Sequence, residues 1–135
     1  MHLLSRITVR NLLLYVLIAF AALSSLSGVA RSETREQWVD LGARVHGAFG
    51  AFIPVGIRIG LDAKGKLNAD PRGLTVTYLN GEKPPCPCIA DGVMIATQAS
   101  PGQGTFRIGP EKAPAGILAV VIVRDRKTGE GMTTR

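Results

Sequence analysis

Two segments of this 135-residue chain hold the side chains best suited to chemistry. His46 to Gly60 reads HGAFGAFIPVGIRIG, and Cys86 to Gly104 reads CPCIADGVMIATQASPGQG. Cys86 and Cys88 are the only cysteines and are separated by one proline. Two thiols held extended in this way can point toward a common centre. Thiolates bind zinc or Cu(I) well, and the same pair can serve as a redox couple. A disulfide across one intervening residue closes a small, strained ring, so such a bridge is expected to be reducible rather than structural. A helix start just after Cys88 would place a dipole that favours a thiolate there.

Each of these residues also has a plainer reading. His46, followed by Gly47, suits a helix end, where a cation complements the dipole. Cys88 suits a core as a small hydrophobe. Asp91 falls in the first turn of a helix, a favourable place for any carboxylate. Pro101 to Gly104 offers backbone N–H groups to an anion, but it lacks the lysine and spacing of a phosphate loop and reads first as a turn. The sequence shows no Ser-His-Asp or paired-carboxylate pattern.

The elements around these residues follow from periodicity. Glu33 to Val45 has helical spacing with Trp38, Leu41 and Val45 on one side, capped by Ser32 or Thr34. Gly47 and Gly50 interrupt it, and Pro54 suits the first turn of a second helix reaching about Leu67. Gly56 and Gly60 lie four apart on that helix. Each costs about 1 kcal/mol of helix propensity, so a packing or site reason is expected, and their flat face would let another backbone approach. Leu74 to Leu79 alternates as a strand, and Ile89 to Ala99 reads as a third helix. Thr105 to Ile108 is a short strand, Gly116 to Val123 a buried one, and Gly131 to Thr134 an edge strand after a turn at Lys127-Thr128-Gly129. The expected class is α+β, with helices packed on one face of a small mixed sheet.

Composition narrows the setting. Arg6 and Arg10 precede the apolar run Leu12 to Leu26, and Gly28-Val29-Ala30 offers small residues for cleavage, so residues 1–30 read as a signal peptide. That run is shorter than the ~20 apolar residues of a membrane span. Residues 31–135 are then one domain, expected to be periplasmic or secreted. The net charge is +6, or +4 once Arg6 and Arg10 are removed. The basic residues are scattered without interleaved aromatics, so no nucleic-acid partner is expected. No membrane association beyond the export signal is expected either.

Taken together, the two segments resemble the formylmethanofuran dehydrogenase E-subunit family. Members carry H-G-H-x-C-P-G, then G-x-R-x-G on a helix, then C-x-x-D-A-I-Q and T-G-C-T-x-G-K-G-N. Here His46 to Phe52 stands for the first motif and Gly56-Ile-Arg58-Ile-Gly60 for the second. Cys88-Ile-Ala-Asp91-Gly-Val-Met94 stands for the third and Thr97 to Thr105 for the last. The resemblance spans about Val39 to Ile108. It implies an α-β-α-β-β-β core, leaves room for a homodimer, and implies a site that commonly holds a transition metal such as zinc. Four motif positions depart, with Ala48, Gly50, Ala99 and Gln103 replacing a histidine, two cysteines and a lysine. His46, Cys88 and Asp91 remain, and Cys86 is an added thiol.

Three functions follow as expectations. The first is an exported domain binding a metal through His46, Cys86 and Cys88, or a small ligand lined by Asp91, Gly56 and Gly60. The second is a thiol-based redox protein or enzyme with His46 as base or orienting group. The third is an interaction module with a vestigial site. The family name does not establish an enzyme, because catalysis in the formylmethanofuran enzyme belongs to other subunits.

Overall fold

The computed structural model describes residues 33–83 and 87–135, together with position 11. The chain divides into a unit of residues 1–33 and a unit of residues 34–135, and the fold below is that of the second. The expected signal peptide lies outside the described residues. Among the described residues, no helix is long and apolar enough to cross a membrane.

Helix α1 spans Arg35–His46. Thr34 caps it: its hydroxyl accepts from the Gln37 N–H, while the Gln37 side chain accepts from the Thr34 N–H. This reciprocal pair satisfies two of the backbone donors that a helix start leaves open. Gly47 ends the helix in the left-handed region at φ 89° and donates to the Ala43 carbonyl, as a glycine does at little steric cost. Helix α2 spans Phe52–Lys66, β1 Leu74–Asn80 and α3 Cys88–Thr97. A short 3-10 turn, Pro101–Gln103, leads to β2 at Phe106–Ile108, β3 at Ala119–Asp125 and β4 at Gly131–Thr134.

The fold is α+β. Among the described residues, four strands lie in the order β2-β1-β3-β4, with β1 and β2 parallel and the other two pairs antiparallel. Alternation puts Leu74, Val76 and Tyr78 of β1, and Val121 and Val123 of β3, into one core. Ile89, Ala90 and Val93 of α3 join that core, as does Ala63 of α2. Cys88 and Ala96 of α3 pack instead with Ile53 and Ile57 of α2, with Trp38 and Phe52 against them. Helix α3 is therefore the buried centre, with the sheet against one side and α2 against the other. The opposite sheet face presents Thr75, Thr77, Arg107 and Arg124 around a shallow hollow.

The second strand after α3 begins later than its apolar run suggests. Gly116 has φ 78° and turns the chain, the Ile117 N–H donates to the Pro114 carbonyl, and pairing starts only at Ala119. Hydropathy alone does not separate this turn from the strand that follows.

The contact between α2 and α3 is made backbone to backbone. A Cβ on Gly56 would collide with the Ile89 carbonyl oxygen and stand 2.9 Å from the Gly92 Cα. A Cβ on Gly92 would collide with the Ile53 carbonyl oxygen. A Cβ on Gly60 would stand 2.7 Å from the Ala96 Cβ. The flat face formed by Gly56 and Gly60 is thus filled by α3, at a closeness any side chain would prevent.

Asp125 closes the β3–β4 turn. Its carboxylate accepts from the N–H groups of Lys127, at 2.7 Å, and Thr128, at 2.8 Å. These backbone donors, Thr128 foremost, hold its pKa below the usual carboxylate range.

Gly92→Ala should destabilise the protein by at least about 2 kcal/mol in urea unfolding, because a backbone carbonyl cannot yield as a flexible side chain can. Gly65→Ala should instead add about 0.5–1 kcal/mol: it sits in α2 as well, but nothing lies within 4 Å of its Cβ position. Because the folded-state pKa of Asp125 is depressed, its contribution is fully present above the unfolded value of about 3.9 and disappears as pH falls through the lower folded value. Asp125→Asn should therefore lower the urea midpoint at pH 7 and flatten its decline below about pH 4.

Candidate functional site

The last turn of α1 and the first turn of α3 meet. His46 is the final residue of α1, and Cys88 is the first of α3. Asp91 follows Cys88 by three residues, so both side chains emerge on one helix face. The His46 ring lies across that face. Its Nδ1 is 2.7 Å from Asp91 Oδ2, and its Nε2 is 3.3 Å from Cys88 Sγ. An ionised carboxylate only accepts, so Nδ1 carries the proton and donates to Asp91. Nε2 is the ring nitrogen directed at the sulfur.

The three groups form a relay from carboxylate to imidazole to sulfur. In its disulfide the Cys88 sulfur is no nucleophile; reduction would be needed to turn the same geometry into an oriented base beside a thiol. The Cys88 residue is 5% exposed, whereas the His46 and Asp91 side chains are 25% and 35% exposed. The sulfur is therefore sheltered, while solvent reaches the base and its partner. Cys88 also starts a helix, where the dipole favours a negative sulfur. It is disulfide-bonded in the structure. Cys86, the chain's only other cysteine, lies outside the described residues.

The expected site residues thus divide. His46, Cys88 and Asp91 come together, and Asp91 is engaged by the histidine. Gly56 and Gly60 contact α3 through their missing side chains. The loop from Thr97 to Thr105 is closed by its own bonds. Ser100 Oγ and the Ser100 carbonyl accept from the Gln103 N–H, the same carbonyl accepts from Thr105 and Phe106, and the Gly104 N–H goes to Pro101. This bears out the turn reading of Pro101 to Gly104.

Residues 45–135 match the FmdE family, described as molybdenum formylmethanofuran dehydrogenase operon. The chain belongs to this family. The match begins beside His46 and runs past β2 through β3 and β4, so the whole sheet is part of the family domain. A comparison with curated proteins finds no match.

The FmdE resemblance implies a metal held by His46, Cys86 and Cys88, of which Cys86 lies outside the described residues. Asp91 and Cys88 engage opposite edges of the His46 ring, so they cannot share one ion with it. The Cys88 sulfur is occupied by a disulfide. Among the described residues, no three His, Cys, Asp or Glu side chains are grouped to hold a metal ion. In this form the described residues do not fit a metal centre. Ala99, at a family cysteine position, is buried in the sheet-side core, apart from the cluster containing Cys88.

The family resemblance already grouped His46, Cys88 and Asp91, but local pattern did not show how they touch, because the contacting pairs lie 42 and 45 residues apart. The local signal was the spacing of Cys88 and Asp91 by three at a helix start.

Nitrogen NMR of the histidine ring should show the His46 proton on Nδ1. Asp91→Ala should redistribute it between the two nitrogens. An unchanged distribution would mean that the carboxylate does not set the tautomer.

Proposed function

We propose that this FmdE-family domain is a thiol–disulfide exchange protein working outside the cytoplasm, with Cys88 as its reactive sulfur. One observation carries this reading: His46 bridges Asp91 and Cys88, with Nδ1 2.7 Å from the carboxylate and Nε2 3.3 Å from the sulfur. Cys86 is the chain's other cysteine, and the reading takes it as the partner of Cys88. An oxidising compartment, which the N-terminal sequence suggests, suits such a pair.

In the exchange, a thiolate of a partner protein or small thiol attacks Cys86 Sγ. The Cys86–Cys88 bond breaks, a mixed disulfide forms on Cys86, and Cys88 leaves as a thiolate beside the α3 N-terminus. A second thiol then releases Cys86. Overall, two thiols are oxidised to a disulfide while the pair takes up two electrons and two protons. In the reverse direction His46 Nε2 removes the Cys88 proton, and Asp91 holds the ring in the tautomer that can do so.

A second reading rests on the same histidine. Donation of Nδ1–H to a carboxylate is also how metal-binding histidines are oriented. Reduction would place a free Cys88 sulfur beside Nε2, with Cys86 close in sequence, so the reduced chain would offer soft donors to zinc.

The test uses the reduced protein, with Cys86→Ser isolating Cys88. Alkylation of Cys88 by iodoacetamide should be fast near neutral pH, and His46→Gln should slow it by roughly tenfold or more. Rates that rise only around the ordinary cysteine value of about 8.5, unchanged in His46→Gln, would sink the exchange reading. In the reduced two-cysteine chain, tight zinc uptake that protects both thiols would favour the metal reading.

A further inference from the structure

Helices α1 and α2 are consecutive and meet at Gly42, where an added Cβ would stand 2.9 Å from the Ile53 side chain. Beside that contact, residues of both helices line a groove of about 550 Å³. That size lies within the range of small-ligand sites. Trp38 and Ile57 form its floor, continuous with the apolar cluster beneath. Val39, Phe49 and Leu61 also line it and are 38%, 37% and 39% exposed. Large apolar side chains grouped on a concave surface, rather than scattered singly, mark a binding site. The Phe49 ring is fixed in place by lying over Gly42, where a Cβ would stand 2.7 Å from it.

Two arginines, Arg35 and Arg58, line the same groove, and none of its lining residues is acidic. Neither guanidinium has an ion pair or hydrogen bond to another side chain among the described residues. A guanidinium is always charged and presents a fork of donors matched to a carboxylate. The groove therefore combines an apolar floor with two guanidinium groups.

We propose that this groove binds an amphiphilic carboxylate, an aliphatic or aryl chain bearing one acidic head group. The chain lies on Trp38 and Ile57, and the head is held by Arg35 and Arg58. This site stands on the groove alone and does not depend on the thiol chemistry at Cys88.

Trp38 is the chain's single tryptophan, so its fluorescence reports directly on occupancy. The protein, recovered as its host processes it, is titrated with dodecanoate, dodecanol and dodecyltrimethylammonium below their micelle concentrations. Dodecanoate should give a saturable change in Trp38 emission, with dodecanol weaker and the cation weakest. The exposed double variant Arg35→Gln/Arg58→Gln, checked for native circular dichroism, should weaken dodecanoate roughly tenfold, toward the alcohol. His46→Gln, at a residue outside both the groove lining and the apolar cluster beneath it, should leave the dodecanoate affinity unchanged, which separates this site from the exchange reading. Equal binding of anion and cation, no saturable response, or an unaffected arginine double variant would overturn the proposal. So would a response to an acidic amphipathic helix peptide without one to dodecanoate.

Discussion

The structure depends on two glycines facing each other across a helix pair. Gly56 and Gly92 bring the backbones of α2 and α3 into direct contact, and Gly60 extends that contact along α2. Dispersion between closely fitted surfaces falls off within a fraction of an ångström, so this fit fixes how α3 lies within the core. The N-terminal turn of α3 is placed as a consequence. Cys88 is buried against Ile53 and Ile57, and Asp91 is left partly exposed beside it. His46 then needs only the end of α1, terminated by Gly47, to span the two.

Much of this architecture is written in local pattern. The alternation from Leu74 gives β1, the capping residues around Thr34 give the start of α1, and the Gly56/Gly60 spacing announces a close backbone contact. The limits of local pattern show at two places. The apolar run from Gly116 includes a turn before it becomes strand β3, and hydropathy is blind to the positive φ that makes the difference. The relay is non-local in a stronger sense. His46 and Asp91 each have a sufficient role at a helix end, and only the meeting of α1 with α3 gives them a joint one. Cys88 likewise reads as a small core residue or as a reactive one, and here it is a buried sulfur next to a base.

The site joins two demands that usually conflict. A sulfur packed among isoleucines is sheltered from solvent, while a proton acceptor must exchange with water to be useful. Here the imidazole separates the two roles: one edge meets the sulfur, and the other meets a carboxylate at the surface. The four altered family motif positions, Ala48, Gly50, Ala99 and Gln103, lie outside this relay, so their loss leaves it intact.

The order of strands has a consequence for how the chain acquires its structure. β1 lies inside the sheet, yet its antiparallel partner β3 pairs Leu74 with Asp125 and Asn80 with Ala119. The contacts that complete the core therefore close loops of about 40 to 50 residues, the kind that slow folding. As a growing or threading chain appears from its N-terminal end, the helices and β1 are present before residues 119–125 can cover the open side of the sheet. During that interval the edge of β1 that β3 will occupy is unpaired and is a template for another chain. The C-terminal hairpin of β3 and β4 thus acts as the closing piece of the domain, and its arrival ends the period in which the molecule is most prone to misassociate.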